Sequence, residues 1–184
     1  MLKRLAIAIA ILGSLPALAW AHGPSRQKVT ESIEINAPAD KVWALIGNFQ
    51  DASWIPVVAK TEGTGDNKPA TGNANDGATR KLTLKDGGIV EEMLDGYDAK
   101  EMTYSYEITK VDVKVLPVND YSSHLTVTAD GPDKSTLEWK GAFYRGFMNN
   151  DPPPELNDEA SKKAVSDLYK STLEAVKAKI EGGK

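Results

Sequence analysis

Cysteine is absent from the 184 residues of the chain. A chain without cysteine can form no disulfide bond, thiolate metal site or cysteine nucleophile. Histidine is scarce, with two residues, and the sequence has no Gly-x-Ser-x-Gly elbow, phosphate-binding loop, dinucleotide fingerprint or His-Glu-x-x-His helix. Because no nucleophile, general-base pair or metal cluster stands out, we expect a protein that is not an enzyme and that uses no cofactor or metal.

Long apolar runs are missing except at the start of the chain. Lys3 and Arg4 precede an apolar run at 5–12, and residues 19–21, Ala-Trp-Ala, form a small-x-small cleavage site. These features are typical of a secretory signal peptide, and we expect residues 1–21 to be removed and the protein to reach the periplasm. An uncleaved membrane anchor is the alternative, but the run is shorter than the ~20 residues that a spanning helix needs.

An excess of positive charge is also missing. The chain has 22 basic and 26 acidic side chains, a formal net charge of −4, and loss of Lys3 and Arg4 lowers it to −6. A mildly acidic protein has no electrostatic reason to bind nucleic acid or anionic lipid. We therefore expect no nucleic-acid partner and, after signal cleavage, no membrane span.

What is present is strand alternation followed by one long helical pattern. Period-two alternation predicts strands at 28–35, 57–62, 102–110, 121–129 and 134–144, and a hairpin at 79–95 that turns at 86–88. Helical patterns follow Pro38, cover a short turn at 49–55 and run through 165–180. Consecutive antiparallel strands curl, and the last helix is the one large apolar stripe available to cover them. The prediction is a single α+β domain over 22–184, a curved antiparallel sheet wrapped around a long C-terminal helix.

The same alternation predicts which side chains point inward. The expected inward sets are Met102, Tyr104, Tyr106 and Ile108; Tyr121, Ser123, Leu125 and Val127; and Leu137, Trp139, Gly141 and Phe143. His124 should face solvent.

Two charged residues, Arg80 and Glu92, are carried inward on the two arms of the hairpin. They should pair, because either charge buried alone is strongly destabilising. The pair is either a structural ion pair or the polar anchor of an aromatic pocket, and the pattern leaves both open. The other candidate pocket residues, which could equally be core, are Trp54, Tyr104, Tyr106, Trp139 and Phe143.

Three consecutive prolines at 152–154 stiffen the connection between the last strand and the last helix. We expect this connection to present Arg145, Phe147, Met148 and Asn149 as a partner-binding rim, since a rigid rim loses little entropy on binding. A connector whose prolines merely cap the helix is the alternative.

Several stretches resemble a known superfamily. "INAPADKVWALIGNFQDASWIP" (35–56), "GATRKLTL" (77–84) and "EWKGAFY" (138–144) resemble the START-like superfamily, also called SRPBCC, whose relatives include polyketide cyclases and the Bet v 1 type. "AHGP" (21–24), "VDVKVLPVNDYSSHLTV" (111–127) and "WKGAFYRGFMNNDPPPELNDEA" (139–160) resemble its MxaD subgroup, periplasmic accessory proteins of bacterial methanol oxidation.

The resemblance implies a helix-grip fold with a pocket under the C-terminal helix. It also implies a non-catalytic role, assisting interaction or electron transfer between methanol dehydrogenase and its cytochrome c, or assembly of that system. A carrier of a small hydrophobic ligand is the alternative from a different class. A cyclase-like enzyme that uses Arg80, Glu92 and a tyrosine is the third hypothesis, and it requires a Glu92 carboxylate free of its arginine.

Overall fold

The computed structural model describes residues 23–72 and 76–183. The predicted signal peptide, 1–21, and the cleavage site after Ala21 lie outside the described residues. Within the described ranges, no helix combines the length and the apolar character that crossing a membrane requires.

Within 23–72 and 76–183, seven antiparallel strands form one curved sheet, with two α-helices and one short 3-10 helix. In chain order the elements are β1 (Gln27–Ile35), α1 (Ala39–Ile46), β2 (Val58–Thr64), β3 (Thr79–Leu84), β4 (Ile89–Asp98), β5 (Thr103–Val111), β6 (Val118–Ala129), β7 (Ser135–Arg145), the 3-10 helix (Pro154–Leu156) and α2 (Asp158–Gly182). The strand order in the sheet is β1-β7-β6-β5-β4-β3-β2. The predicted α+β architecture is therefore confirmed, including the hairpin between β3 and β4.

Alternation along the strands produces the concave core face. Every second residue of β7 from Ser135 to Arg145 is buried, and the intervening residues are not. The inward sets predicted on β6 and β7 are all buried, and His124 is exposed. Met102 and Ile108 are only half-buried. Met102 precedes β5 with a positive φ of 49°, and Ile108 follows the last residue that β5 pairs with β6, so neither has a full set of neighbouring strands.

The predicted helical turn at 49–55 is wrong. The chain makes successive turns there, in which the Ser53 N–H donates to Asp51 Oδ1 at 2.8 Å and the Ile55 N–H donates to the Ala52 carbonyl at 3.0 Å. The Phe49 N–H donates to Asn67 Oδ1 at 2.8 Å. Side-chain acceptors that satisfy backbone donors locally compete with helix formation, which explains the difference.

Helix α2 packs across the sheet at β1 and β7. It begins at Asn157, whose Oδ1 accepts the Ala160 N–H at 2.8 Å, and two acidic residues in its first turn favour the positive end of the helix dipole. The Tyr169 ring stacks on Trp139, with 4.2 Å between centroids. The Tyr169 hydroxyl lies directly over Gly141, which is buried in β7.

We expect Gly141→Ala to destabilise the protein by about 1–3 kcal/mol, because a Cβ at this position would collide with the Tyr169 hydroxyl and a packed interface would have to shift. Urea denaturation followed by tryptophan fluorescence measures the change. Gly23→Ala is the matched control, since no atom lies within 4 Å of a Cβ there. Equal unfolding midpoints for the two variants would contradict this account of the helix contact.

Candidate functional site

A cavity of about 410 Å³ lies between the concave face of the sheet and the N-terminal half of α2. Four segments bound it: the α1–β2 loop, the β3–β4 hairpin, the β5–β6 loop and α2. Its lining is mostly apolar and consists of Ile55, Pro56, Val57, Val58, Leu82, Leu84, Lys85, Asp86, Val90, Glu92, Tyr106, Ile108, Val115, Leu116, Tyr121, Trp139, Ala164 and Leu168. A largely apolar cavity of this volume with a few polar groups is typical of a small-molecule site.

The β3–β4 hairpin defines the depth of the cavity. Lys85 and Asp86 lie at its turn, Leu82 pairs with Val90 one step inward, and Arg80 pairs with Glu92 one step further. Arg80 lies four residue steps along β3 from Leu84, which corresponds to about 13 Å. The ion pair is therefore at the inner end of the cavity, and the hairpin turn is at its mouth.

Arg80 and Glu92 form the buried ion pair that the sequence pattern predicts. Arg80 Nε donates to Glu92 Oε2 at 2.5 Å, and Arg80 Nη1 donates to the Phe49 carbonyl at 3.0 Å. The guanidinium carbon lies 4.3 Å from the centre of the Phe49 ring. These contacts hold the arginine behind the carboxylate, so that Glu92 borders the cavity and Arg80 does not.

Burial governs the proton affinities at the inner end. Burial raises the pKa of the Glu92 carboxyl, and the charge and hydrogen bond of Arg80 oppose that rise. Burial by itself would lower the pKa of Arg80, but the charge and hydrogen bond of Glu92 and the electrostatic interactions with Tyr104 and Tyr106 together outweigh burial and raise that pKa. Burial raises the pKa of Tyr104 to about 12, so its phenol is neutral at neutral pH. Its hydroxyl and Arg80 Nη2 are buried without a protein hydrogen-bond partner.

A hydrogen-bonded chain joins α2 to the sheet beside the cavity. Trp139 Nε1 donates to Ser123 Oγ at 2.6 Å, and Ser123 Oγ donates to the Lys140 carbonyl at 2.8 Å. The Tyr169 hydroxyl lies 3.2 Å from Ser123 Oγ and also bonds to the Tyr121 hydroxyl. Burial raises the pKa of both tyrosines well above the usual value. This hydrogen-bonded network therefore consists of neutral groups whose role is to position α2.

The structure separates the seven predicted pocket residues into two groups. Glu92, Tyr106 and Trp139 border the cavity. The other four lie in the surrounding core: Arg80 is behind Glu92, Trp54 packs on Trp139, Tyr104 packs on Phe49, and Phe143 stacks on Tyr121. Loop residues that border the cavity, such as Pro56, Val115 and Leu116, are not among the predicted pocket residues. The sequence feature that could have identified these residues was their apolar character within loops.

Arg145 is not presented on a surface rim, and that expectation is wrong. Its side chain is 8% exposed; Nε donates to the Phe147 carbonyl at 2.8 Å, Nη2 donates to the Asn149 carbonyl at 3.0 Å, and Nη1 lies 3.5 Å from Asp158 Oδ2. The alternation that carries Phe143 inward carries Arg145 inward too. Phe147 is half-buried, whereas Asn149 is exposed and Met148 is 40% exposed. Whether these four residues bind a partner stays a prediction.

Metal ligands do not cluster in the described part of the chain. No group of three or more histidine, cysteine, aspartate or glutamate residues in 23–72 and 76–183 is arranged to hold an ion. His124 forms a contact of 2.9 Å between its Nε2 and Thr103 Oγ1 on the outer face of the sheet.

A family model described as polyketide cyclase / dehydrase and lipid transport matches residues 26–181. The chain belongs to this family. The match spans all seven strands and nearly all of α2, and it confirms the START-like, helix-grip fold that the sequence resemblance implied. No curated protein sequence matches the chain.

Several proteins of known structure are similar to this chain. An uncharacterized protein of Bacillus thuringiensis is 26% identical, with a TM-score of 0.66, over 84% of this chain and 98% of that chain. The protein XoxI of Bacillus cereus is 26% identical, with a TM-score of 0.65, over 83% of this chain and 94% of that one. Norcoclaurine synthase of Thalictrum flavum, in complex with dopamine and hydroxybenzaldehyde, is 14% identical, with a TM-score of 0.60, over 100% and 99% of the two chains. The last likeness shows the fold alone.

We expect Glu92→Gln to lower the free energy of unfolding by about 3–5 kcal/mol, because it leaves the Arg80 charge buried without its counter-charge. Replacing both partners, as Arg80→Met with Glu92→Leu, should recover most of that loss. Denaturant unfolding of Glu92→Gln, of the single variants Arg80→Met and Glu92→Leu, and of the double variant measures the coupling between the two residues.

Glu91→Gln is the matched control, because the Glu91 side chain is 39% exposed and its pair with Lys110 is a surface contact of 3.4 Å. Its effect should stay within about 0.5 kcal/mol. Similar losses for the two glutamine variants would mean that the buried pair has no special part in the stability of this fold.

Proposed function

We propose that the protein binds a small, largely apolar molecule in the cavity and does not transform it chemically. The observation that carries the proposal is the cavity of about 410 Å³, which has apolar walls and a single buried carboxylate at its inner end. Burial of apolar ligand surface supplies the affinity, and a few polar groups orient the ligand. Membership of a family described by cyclases and lipid transport supports a ligand-binding domain.

Non-catalytic binding is supported by the state of the one candidate base. A general base must be free to take a proton from the substrate. Glu92 Oε2 accepts the Arg80 Nε–H at 2.5 Å, both side chains are buried, and the Arg80 charge opposes proton uptake by the remaining oxygen, Oε1. The other ionisable groups of the cavity lining are Lys85 and Asp86 at the mouth and the phenols of Tyr106 and Tyr121, whose pKa values burial raises well above the usual value.

Filling the cavity should abolish binding and spare the fold. Ala164→Trp on α2 would place an indole in the cavity, and we expect it to weaken binding of the neutral probe N-phenyl-1-naphthylamine by about tenfold or more. Fluorescence titration of the probe measures the affinity, and mass spectrometry of denatured protein detects any molecule that co-purifies.

Lys162→Trp is the matched control, because Lys162 is exposed on the same helix. It should bind the probe as the parent protein does. Parent protein that binds neither the probe nor a co-purifying molecule would refute the binding function.

For the biological setting, we propose a periplasmic accessory protein of methanol oxidation of the MxaD type, acting on methanol dehydrogenase, its cytochrome c or their assembly. The support is the sequence resemblance of 111–127 and 139–160. These two stretches are in contact, because Ser161 Oγ, next to the second stretch, donates to the Pro117 carbonyl at 2.5 Å and Gly146 packs against Pro117. They form one continuous region beside the cavity mouth, which Val115 and Leu116 border.

Variants at the exposed tip of the β7–α2 connection, Met148 and Asn149, test the methanol-oxidation role. We expect the purified protein to recover methanol dehydrogenase or its cytochrome c from periplasmic extract of a methanol-oxidising bacterium, at low and moderate salt. Met148→Ala with Asn149→Ala should reduce recovery several-fold without changing stability, because both side chains are exposed. Arg145→Ala is unsuitable for this purpose, since it would release the loop itself.

Lys100→Ala provides a control at an exposed turn outside this region. Recovery that is the same for the loop variant and the parent would exclude the tip as the contact. Failure of the parent to recover either protein would argue against the methanol-oxidation setting and leave the cavity function untouched.

A further inference from the structure

The inner end of the cavity offers a hydrogen-bond acceptor and no cation. Arg80 reaches Glu92 Oε2 from behind and has no place in the cavity lining. Within the described residues, Glu92 Oε1 has no protein hydrogen bond, and the Glu92 side chain borders the cavity. A carboxylate oxygen in this position accepts hydrogen bonds and donates none.

We infer that the cavity selects molecules whose polar head donates a hydrogen bond, an alcohol or an amine on an apolar or aromatic body, and that it rejects carboxylates such as free fatty acids. This inference rests on the proposed binding function and names its ligand class. The donor head would lie at Glu92 Oε1, and the apolar body would extend past Leu82 and Val90 toward the mouth.

The charge distribution supports the rejection of anions. Lys85 is the one cationic side chain among the cavity-lining residues of the described chain, and it lies at the mouth beside Asp86. A ligand carboxylate directed inward would meet the Glu92 carboxylate where water does not screen the repulsion. Directed outward, it would meet a lysine whose attraction is weakened by solvent and by the neighbouring aspartate.

The walls near Glu92 favour a flat apolar body. Tyr106, Tyr121 and Trp139 border the cavity, and the Tyr106 ring lies 5.2 Å from the guanidinium carbon of Arg80, next to the ion pair. Aromatic faces pack favourably against aromatic ligands, and apolar ligand surface removed from water adds affinity. Burial also raises the pKa of Glu92, and a donor head would compensate the carboxylate for part of its lost hydration.

The experiment is calorimetric titration of the purified protein with four probes that share a naphthalene body. The heads are hydroxymethyl, aminomethyl, methoxymethyl and carboxylate. We expect the alcohol and the amine to bind about tenfold or more tighter than the carboxylate, and the methoxymethyl probe, which has no donor, to bind more weakly than the alcohol.

Equal affinities for the four probes would overturn the donor selection and leave the binding function standing. Tightest binding of the carboxylate would overturn it as well. If none of the four binds, the inference fails. Binding of N-phenyl-1-naphthylamine then tests the proposed binding function separately.

A pair of charge-removing variants assigns the selectivity to its residue. Glu92→Gln should lower the alcohol-to-carboxylate affinity ratio to one or below, because it removes the carboxylate and leaves the Arg80 charge unpaired, whereas Glu91→Gln, outside the cavity lining, should leave the ratio of the parent protein. An unchanged ratio in Glu92→Gln would overturn the assignment. If that variant does not fold, the ratios measured on the parent protein still decide the inference.

Discussion

The contact between Tyr169 and β7 is the constraint on which the site depends. Stacking on Trp139 and the close approach to Gly141 hold α2 against β1 and β7, at one side of the sheet. A straight helix fixed there cannot also cover β3 and β4, where the sheet curves away. The space left over those strands is the cavity, which is bordered by Leu168, next to Tyr169, and by Ala164, about one turn earlier. The small residue Gly141 in β7 thus helps to determine where the cavity forms.

The Arg80–Glu92 ion pair at the inner end gives the cavity its polar character. Arg80 contacts Glu92, the Phe49 carbonyl and the faces of two aromatic rings, so its charge interacts with protein groups and not with the cavity. Glu92 has one oxygen committed and one available to the cavity. A buried pair of this kind is weak evidence of a stability device, because apolar residues of similar size often serve as well. Its position beside an apolar cavity makes ligand orientation the better explanation.

The connection between β7 and α2 is ordered by a buried arginine as much as by its prolines. Arg145 binds the carbonyls of Phe147 and Asn149 and approaches Asp158 at the start of α2. The loop also packs through Gly146 on Pro117, which continues into the mouth of the cavity. The exposed tip and the cavity mouth are therefore parts of one packed region. The proposed partner surface and the proposed ligand cavity are therefore contiguous in this protein.

Periodicity in the sequence determined the strands, the long helix, the inward faces of β6 and β7 and the pairing of Arg80 with Glu92. Such features follow from local geometry, since side chains alternate along a strand and recur every 3.6 residues along a helix. Tertiary structure alone decided that Glu92, Tyr106 and Trp139 border a cavity whereas Tyr104 and Phe143 are packed core. Alternation tells which face a residue occupies but not how far along that face the helix extends. It also decided the turns at 49–55, where the Asn67 side chain, distant in sequence, accepts the Phe49 N–H. The reason is common to both cases: a partner distant in sequence sets the outcome, and no local pattern records where that partner will lie.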